Sequence, residues 1–340
     1  MASGGPLREV QQLASETRDL GFAGITFTET GRTAYLSVAA AALAAPELTY
    51  STGVAVAFPR SPMVTAATAW ELADLTDGRF LLGIGTQVRA HIERRYSSEF
   101  EHPGPRLREY VEAVRAILRA FQGTAPLEFR GEYYRHELLP AMWSPGPIAH
   151  PDVPIYVSAV GPWMVRMAGE VADGVHVHPL HSSRYIEERL LRGVAEGAAA
   201  GGRDPAAVAL AVPVFTIVGD SPEERAPWRA LARSQIAFYG STRNYAFQFD
   251  MLGFEGTSAR LNERLKAGDV AGMADLITDE MLDEFAVEAG WDELGDRLVD
   301  RYDAVASRLI LYFADTMRRR DPSAFARLGE VARDVAQRTG

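Results

Sequence analysis

LTDGRFLLGIGTQVRAHIERRY, residues 75 to 96, is the stretch from which the fold can be read. Asp77-Gly78 has the composition of a turn, Arg79 to Ile84 is an apolar run of strand length, and Gly85-Thr86-Gln87 is a polar exit that opens a helix. A strand ending this way delivers a loop to a site. Glycine admits close backbone approach, and a helix start offers unpaired N–H groups to negative charge. Both properties suit a phosphorylated cofactor and single out Thr86, Gln87 and Val88 as cofactor-binding candidates.

Outward from this strand, apolar runs alternate with helical patterns in both directions. Upstream, Leu7, Val10, Leu13, Ala14 and Leu20 form a helical stripe begun at Pro6 as a first-turn proline and ended by Gly21. Ala23 to Thr28 is the next strand, Tyr35 to Ala44 a helix, and Leu48 to Phe58 a strand interrupted at Thr52-Gly53. Pro62 then starts a helix that runs to Leu75. An interior glycine in a strand marks a bulge or a close approach of backbone.

Downstream, no core strand is expected from Thr86 to Pro154. That excursion carries a helix from Arg106 to Phe121 and a hairpin in LEFRGEYY around Arg130-Gly131. Strands recur at Pro154 to Val160, Gly174 to His178, Val208 to Gly219 and Arg308 to Phe313, with a second excursion over residues 240–304. Such alternation implies a parallel sheet covered by helices. Seven core strands are expected, and a closed (β/α)8 barrel needs an eighth. The chain reads as one α/β domain over 1–340, a TIM barrel with insertions at about 86–153 and 240–304. Its first strand is either missing or confined to Met1 to Gly5. An open doubly wound sheet is the alternative.

Composition bounds the function. The 47% apolar fraction describes a globular protein with ample core, and no apolar run reaches membrane-spanning length. MASGGPLREV lacks the basic and apolar regions of a secretion signal, and the absence of cysteine fits a cytoplasmic protein. With a formal charge of −10 and no basic stripe carrying interleaved aromatics, nucleic acid is not an expected partner. Lys266 is the only lysine, so arginines must supply nearly all cationic contacts.

Several polar residues stand at strand exits. Glu29 reads either as a group that bonds a cofactor or handles a proton, or as a carboxylate at a helix start. Ala159-Val160-Gly161-Pro162 joins a strand to a helix whose dipole favours phosphate, with N–H donors from Gly161, Trp163 and Met164 because Pro162 has none. His176, His178 and His181 form H-x-H-x2-H, and strand alternation places the first two on one face. No carboxylate or cysteine nearby completes a metal-ligand pattern, so no metal is expected; His178 reads as a pocket residue and His176 as an interior one. Arg94-Arg95 reads equally as a partner for an acidic cofactor tail or as a solvated helix face. Trp70, Trp163 and Trp228 read as core.

The motifs GITFTET, STGVAVAFPRSP, GRFLLGIGTQVRAHIERRYS, PGPRLREYVEAVRAIL, FRGEYY, VGPWMVRMAGEVADGVHVHP and QIAFYGSTRNY, with the tail from DEFAVEAGW to LYF, resemble the luciferase-like monooxygenase superfamily. They are most similar to its actinobacterial branch of coenzyme F420-dependent oxidoreductases. The resemblance implies a (β/α)8 barrel with Arg79 to Gly85 as the fourth strand, a deazaflavin at the strand exits, and a commonly dimeric enzyme. It further implies a non-proline cis peptide at Gly53-Val54, with Gly53, Val54 and Ala55 behind the deazaflavin ring, and it favours the Ala159, Val160 and Gly161 turn as the phosphate site. Two departures accompany it. Arg32-Thr33-Ala34 stands where close relatives carry His-Asp-Pro, and MASGG stands where they have a first strand.

The resulting expectation is an F420-dependent reductase that passes hydride to an unsaturated carbon or imine of a small molecule, with Glu29 and His178 as catalytic residues. A flavin mononucleotide (FMN) monooxygenase fed by a separate reductase, and a non-catalytic barrel used for binding or assembly, are the alternatives. A homodimer is expected because the strand edges left by a missing first strand need cover.

Overall fold

The computed structural model describes residues 1–339. The chain divides into two compact units, one of Met1–His176 with Gly193–Ala209 and one of Val177–Arg192 with Leu210–Gly340.

In the first unit the strands are β1 (Gly24–Phe27), β2 (Thr49–Thr52), β3 (Ala55–Val56), β4 (Phe80–Gly85), β5 (Phe129–Arg130), β6 (Arg135–His136), β7 (Ile155–Ser158) and β8 (Gly174–His176). β1, β2, β4, β7 and β8 lie side by side in that order and all run parallel, with Ile25 opposite Tyr50, Tyr50 opposite Phe80, Leu82 opposite Ile155 and Val157 opposite Val175. Parallel strands need long crossovers, and helices supply them. The helix Pro62–Leu75 shows why such a segment starts and stops: Ser61 Oγ accepts from Val64 N at 3.3 Å, Pro62 occupies the first turn, and Asp77 and Gly78 turn the chain into β4 at φ 47° and 77°. Helix Leu7–Asp19 packs on Ala34–Ala44, and Pro62–Leu75 packs on Pro103–Gln122, where Trp70 meets Phe121 edge-on at 5.7 Å.

The expected strand over Leu48 to Phe58 is two strands, broken where the interior glycine stands. Met1 to Gly5 contribute one residue of strand. Ala2 bridges to Phe27 in parallel, donating from its N–H to Thr26 O and accepting from Thr28 N, both at 2.9 Å. The outer edge of β1 is thus covered there by this chain's own first residues. Pro6 caps the helix Leu7–Asp19 instead of sitting in its first turn.

β9 (Ala209–Val218), all but its first residue in the second unit, is flanked by two parallel partners: β10 (Ala286–Ala289) along its second half and β11 (Arg308–Leu311) along its first. Nine of its ten residues are buried, the signature of a strand covered on both faces. β10 lies inside the excursion over 240–304, where the sequence shows no strand pattern.

The first excursion holds its hairpin through one carboxylate. Glu109, on the helix Pro103–Gln122, accepts from Glu132 N at 2.8 Å, Tyr133 N at 2.8 Å and Tyr134 N at 2.6 Å, so the turn between β5 and β6 closes around a single side chain. Charge-assisted bonds of this kind are worth about 1.5–3 kcal/mol each before non-additivity. Glu109→Ala is expected to lower the melting midpoint and expose residues 129–136 to limited proteolysis, with Glu109→Gln intermediate; protease protection equal to wild type in Glu109→Ala would count against this anchoring.

Candidate active site

In the first unit the site is built around the break in the second strand. Thr52, the last residue of β2, donates through Oγ1 to Gly83 O at 2.6 Å and accepts from Gly83 N at 2.9 Å, latching β2 to β4. The next peptide bond, Gly53-Val54, is cis, as the family resemblance implies. Gly53 donates to Phe27 O at 2.8 Å, and a Cβ at this position would lie 2.3 Å from both His176 Nε2 and Thr26 Cγ2. Only glycine fits between β1 and β8 here. Val54 turns its methyl groups over Gly83 and Gly85, and β3 pairs Ala55 with Ile84 and Val56 with Gly85.

Glu29 lies two residues past β1, and its side chain is 4% exposed. Oε2 accepts from Val56 N at 2.7 Å and from Arg60 Nη1 at 2.9 Å, while Oε1 accepts from Arg60 Nη2 at 2.5 Å. Burial works against the Arg60 charge, but the hydrogen bond and negative charge of Glu29 outweigh it and hold the guanidinium pKa above its ordinary value. Glu29 is thus brought to the Gly53 segment with both oxygens engaged.

At the exit of β4, Gln87 is exposed and takes a left-handed backbone, φ 59°, unusual for a residue with a side chain. Its Oε1 accepts from Val88 N at 2.9 Å, and Thr86 Oγ1 donates to Gln87 O at 3.1 Å. Strained backbone of this kind costs on the order of 1–3 kcal/mol and gathers at ligand-binding loops. The helix behind it, Arg89–Arg94, has only six residues, so its dipole is weaker than that of a helix of ordinary length.

At the exit of β7, Ala159 is buried, Val160 and Gly161 are half-buried, and Gly161 caps the ten-residue helix Pro162–Val171 without a side-chain cap. The space beside Gly161 is open to 4 Å. Trp163 is 44% exposed, not core, and its ring covers Gly104 at the start of the helix Pro103–Gln122. A cleft of about 510 Å³, lined by Arg115, Arg119, Gln122, Asp152 and Asp173 among others, sits at the strands' entry ends and includes none of these residues.

In the second unit His178 follows the end of β8. Its Nδ1 accepts from Leu180 N at 3.1 Å, which places the proton of the neutral ring on Nε2. The ring meets Tyr239 edge-on at 4.8 Å and Tyr245 at 4.3 Å, and the Tyr239 hydroxyl is 2.6 Å from that of Tyr312. Burial raises the pKa of all three phenols, so they are neutral donors near pH 7. His181 is fully buried, with Nδ1 on His178 O at 2.9 Å and Nε2 on the Tyr302 hydroxyl at 3.2 Å; burial pulls its pKa down to about 4. His181 is therefore neutral, donating from Nδ1 and accepting at Nε2. Because β8 ends at His176, strand alternation does not carry on to His178. Among the described residues no group of three His, Cys, Asp or Glu side chains is placed to hold a metal ion.

Arg60, Tyr239, Tyr245 and Tyr312 do not stand out in the sequence as site residues. Arg60 has a local signal, PRSP between a strand exit and a helix start, and Tyr239 and Tyr245 lie in the quoted QIAFYGSTRNY.

Residues 1–308 match the family model described as luciferase-like monooxygenase. The chain belongs to the luciferase-like monooxygenase family. It is 38% identical over 293 residues, 86% of each chain, to an uncharacterized protein of Mycobacterium tuberculosis. It is 27% identical to the 5,10-methylenetetrahydromethanopterin reductase of Archaeoglobus fulgidus over 85% of each chain. The coenzyme F420 dependent tetrahydromethanopterin reductase of Methanopyrus kandleri superimposes with a TM-score of 0.74 at 18% identity, over 91% of this chain and 90% of that one. That likeness shows a shared fold, and the parallel strands and crossover helices of this family member are those of a luciferase-like TIM-barrel enzyme.

Gly53→Ala is expected to destabilise this family member by about 1–3 kcal/mol through overpacking against His176 and Thr26. Gly53→Ala/His176→Ala should recover part of the loss by opening one of the two clashes. Denaturant midpoints of the single and double variants check this, and an unchanged midpoint in Gly53→Ala would contradict it.

Proposed function

We propose that this protein is a coenzyme F420-dependent oxidoreductase, a reductase acting on an unsaturated carbon or imine of a small molecule. The reductase part rests on the 27% identity, over 85% of each chain, to an enzyme named for reducing a methylene-pterin, and the coenzyme on the 25% identity, over 85% of this chain, to a putative coenzyme F420-dependent oxidoreductase of Mycobacterium tuberculosis. FMN chemistry is the second reading, favoured by the monooxygenase description of the matching family. Cytoplasmic location accompanies either, in keeping with the absence of cysteine; among the described residues no helix is long and apolar enough to cross a membrane.

The residues present fit the coenzyme. The Gly53, Val54 and Ala55 segment supplies a smooth backbone wall, with no side chain possible at Gly53. Thr86 and Gln87 supply neutral hydroxyl and amide groups, with Val88 N held on Gln87 Oε1, and Ala159, Val160 and Gly161 lead into a helix start with open space beside it. When bound, the reduced deazaflavin supplies a hydride. The chain itself has to orient the acceptor and deliver a proton. We assign the proton to His178, which delivers it as imidazolium; in the neutral ring, whose Nδ1 accepts from Leu180 N, the Nε2–H orients the acceptor by a hydrogen bond. Glu29, buried against Arg60, acts on the coenzyme through Val56.

We further propose a homodimer. The helix Ala34–Ala44, AYLSVAAAALA, has no charged residue on any face, yet Leu36 is 57% and Leu43 68% exposed, and Val64 on the adjoining helix is 53% exposed. A helix apolar all round belongs in an interior, and a second copy of the chain would provide one.

Purified protein is expected to bind F420 more tightly than FMN in parallel titrations, and the reverse order would favour the monooxygenase reading. His178→Ala should slow turnover by about 100-fold or more while leaving the Kd for F420 within about twofold; wild-type turnover would remove His178 as the proton source. Leu36→Glu/Leu43→Glu should sediment as a monomer where wild type sediments as a dimer. A wild-type monomer at working concentration would refute the dimer outright.

A further inference from the structure

We propose that Arg60 is a positioning residue: with Glu29 it replaces a missing strand neighbour at Val56 and so sets the Gly53-to-Ala55 wall. This rests on the proposed placement of the coenzyme against that wall. β3 pairs with β4 alone. Ala57 N donates to Gly85 O at 3.0 Å, so Ala57 faces β4, and by strand alternation the N–H and C=O of Val56 point the other way. On that side β1 has ended at Phe27. Two buried backbone groups would be left without partners, at a cost comparable to lost hydrogen bonds.

Glu29 and Arg60 satisfy both. The carboxylate accepts from Val56 N at 2.7 Å, Arg60 Nη1 donates to Val56 O at 3.0 Å, and two further bonds lock the pair to each other. The guanidinium also lies over the Tyr35 ring at 5.1 Å. One forked cation thus bonds a carbonyl and a carboxylate at once, which a lysine cannot do with the same geometry. The titratable groups facing it are Glu29 and the phenols of Tyr35 and Tyr110, both raised by burial and neutral across the working pH range. With Arg60 removed, Glu29 is the group beside Val56 that can respond to pH; His176, against Gly53, is present in variant and wild type alike and cancels in their ratio. A carboxylate 4% exposed and without its counter-charge is driven toward its protonated form. The wall should then be most disturbed at high pH, where the uncompensated charge persists, and less at low pH, where a neutral carboxyl still accepts from Val56 N.

The test is the Kd for F420 of the full-length protein, taken as the ratio of variant to wild type at about pH 6 and about pH 8.5 so that ionisation of the coenzyme cancels. Arg60→Met should weaken binding by about tenfold or more at the higher pH and distinctly less at the lower. Arg60→Lys should recover part of the affinity. Glu29→Gln/Arg60→Met, which buries no charge, should weaken binding by the same factor at both pH values. A purely structural role would lower the melting midpoint and leave the Kd of the folded fraction unchanged, with no pH dependence in the ratio.

Wild type that binds no F420 would fail the functional reading before any variant is compared. Wild type that binds, together with an Arg60→Met ratio near one at both pH values, would overturn this inference alone. Should Arg60→Met not accumulate as folded protein, ratios near one in both Arg60→Lys and Glu29→Gln/Arg60→Met would overturn it.

Discussion

The backbone from Thr52 to Val56 is held from four directions, and the candidate site of the first unit is built on that restraint. Thr52 is tied to Gly83 through its hydroxyl, Gly53 is pressed between His176 and Thr26, Val54 rests on Gly83 and Gly85, and Val56 is bonded by Glu29 and Arg60. The partners come from β1, β4 and β8 and from the loops after β1 and β3. No single strand pairing would hold this segment, because its own ladder is interrupted at the bulge. Side chains do what the ladder cannot, and they do it at one defined register.

The strands are legible in the sequence because parallel strands covered on both faces read as apolar runs, and β9 is the extreme case, with nine buried residues of ten. The break at Thr52-Gly53 is legible for the opposite reason: a glycine inside such a run has no packing role of its own. What stays hidden has physical causes. Ala2 acts as strand through a single bridge, and one residue has no periodicity. β10 follows directly on the helix Asp279–Phe285, so its four residues, AVEA, merge with a helical pattern. Trp163 is partly exposed, with its ring over a glycine of another helix, a long-range contact that no local pattern holds. The role of Arg60 is equally non-local, since its partner Glu29 lies 31 residues away.

With one lysine in the chain, a cationic contact to a cofactor tail has to come from arginine, yet many arginines are engaged within the protein. Arg115 bonds Asp173 and Val171 O, while Asp173 also accepts from Ile155 N, which fixes the entry ends of β7 and β8. Arg301 bonds Ser183 and the carbonyls of Asp283, Glu284 and Ala286 at the end of the helix Asp279–Phe285. Five donors in a planar fork allow one side chain to satisfy several acceptors, and a buried carbonyl without a partner is costly. Arginine here serves the backbone as much as any ligand.

The three histidines show why residue type and spacing do not assign a role. His176 ends a strand and is packed against Gly53, where its bulk excludes any side chain. His181 is buried deeply enough to be held neutral, and its two nitrogens hold the His178 carbonyl and the Tyr302 hydroxyl. His178 lies between them in sequence and is the one half-buried, with its tautomer set by Leu180 N and aromatic rings on its flanks. A proton donor needs access and a ring that can carry a positive charge at the working pH. His181 lacks the access, and its pKa is displaced well below neutrality. His178 has the access, and its proposed role rests on the chain's path after β8 more than on the H-x-H-x2-H pattern.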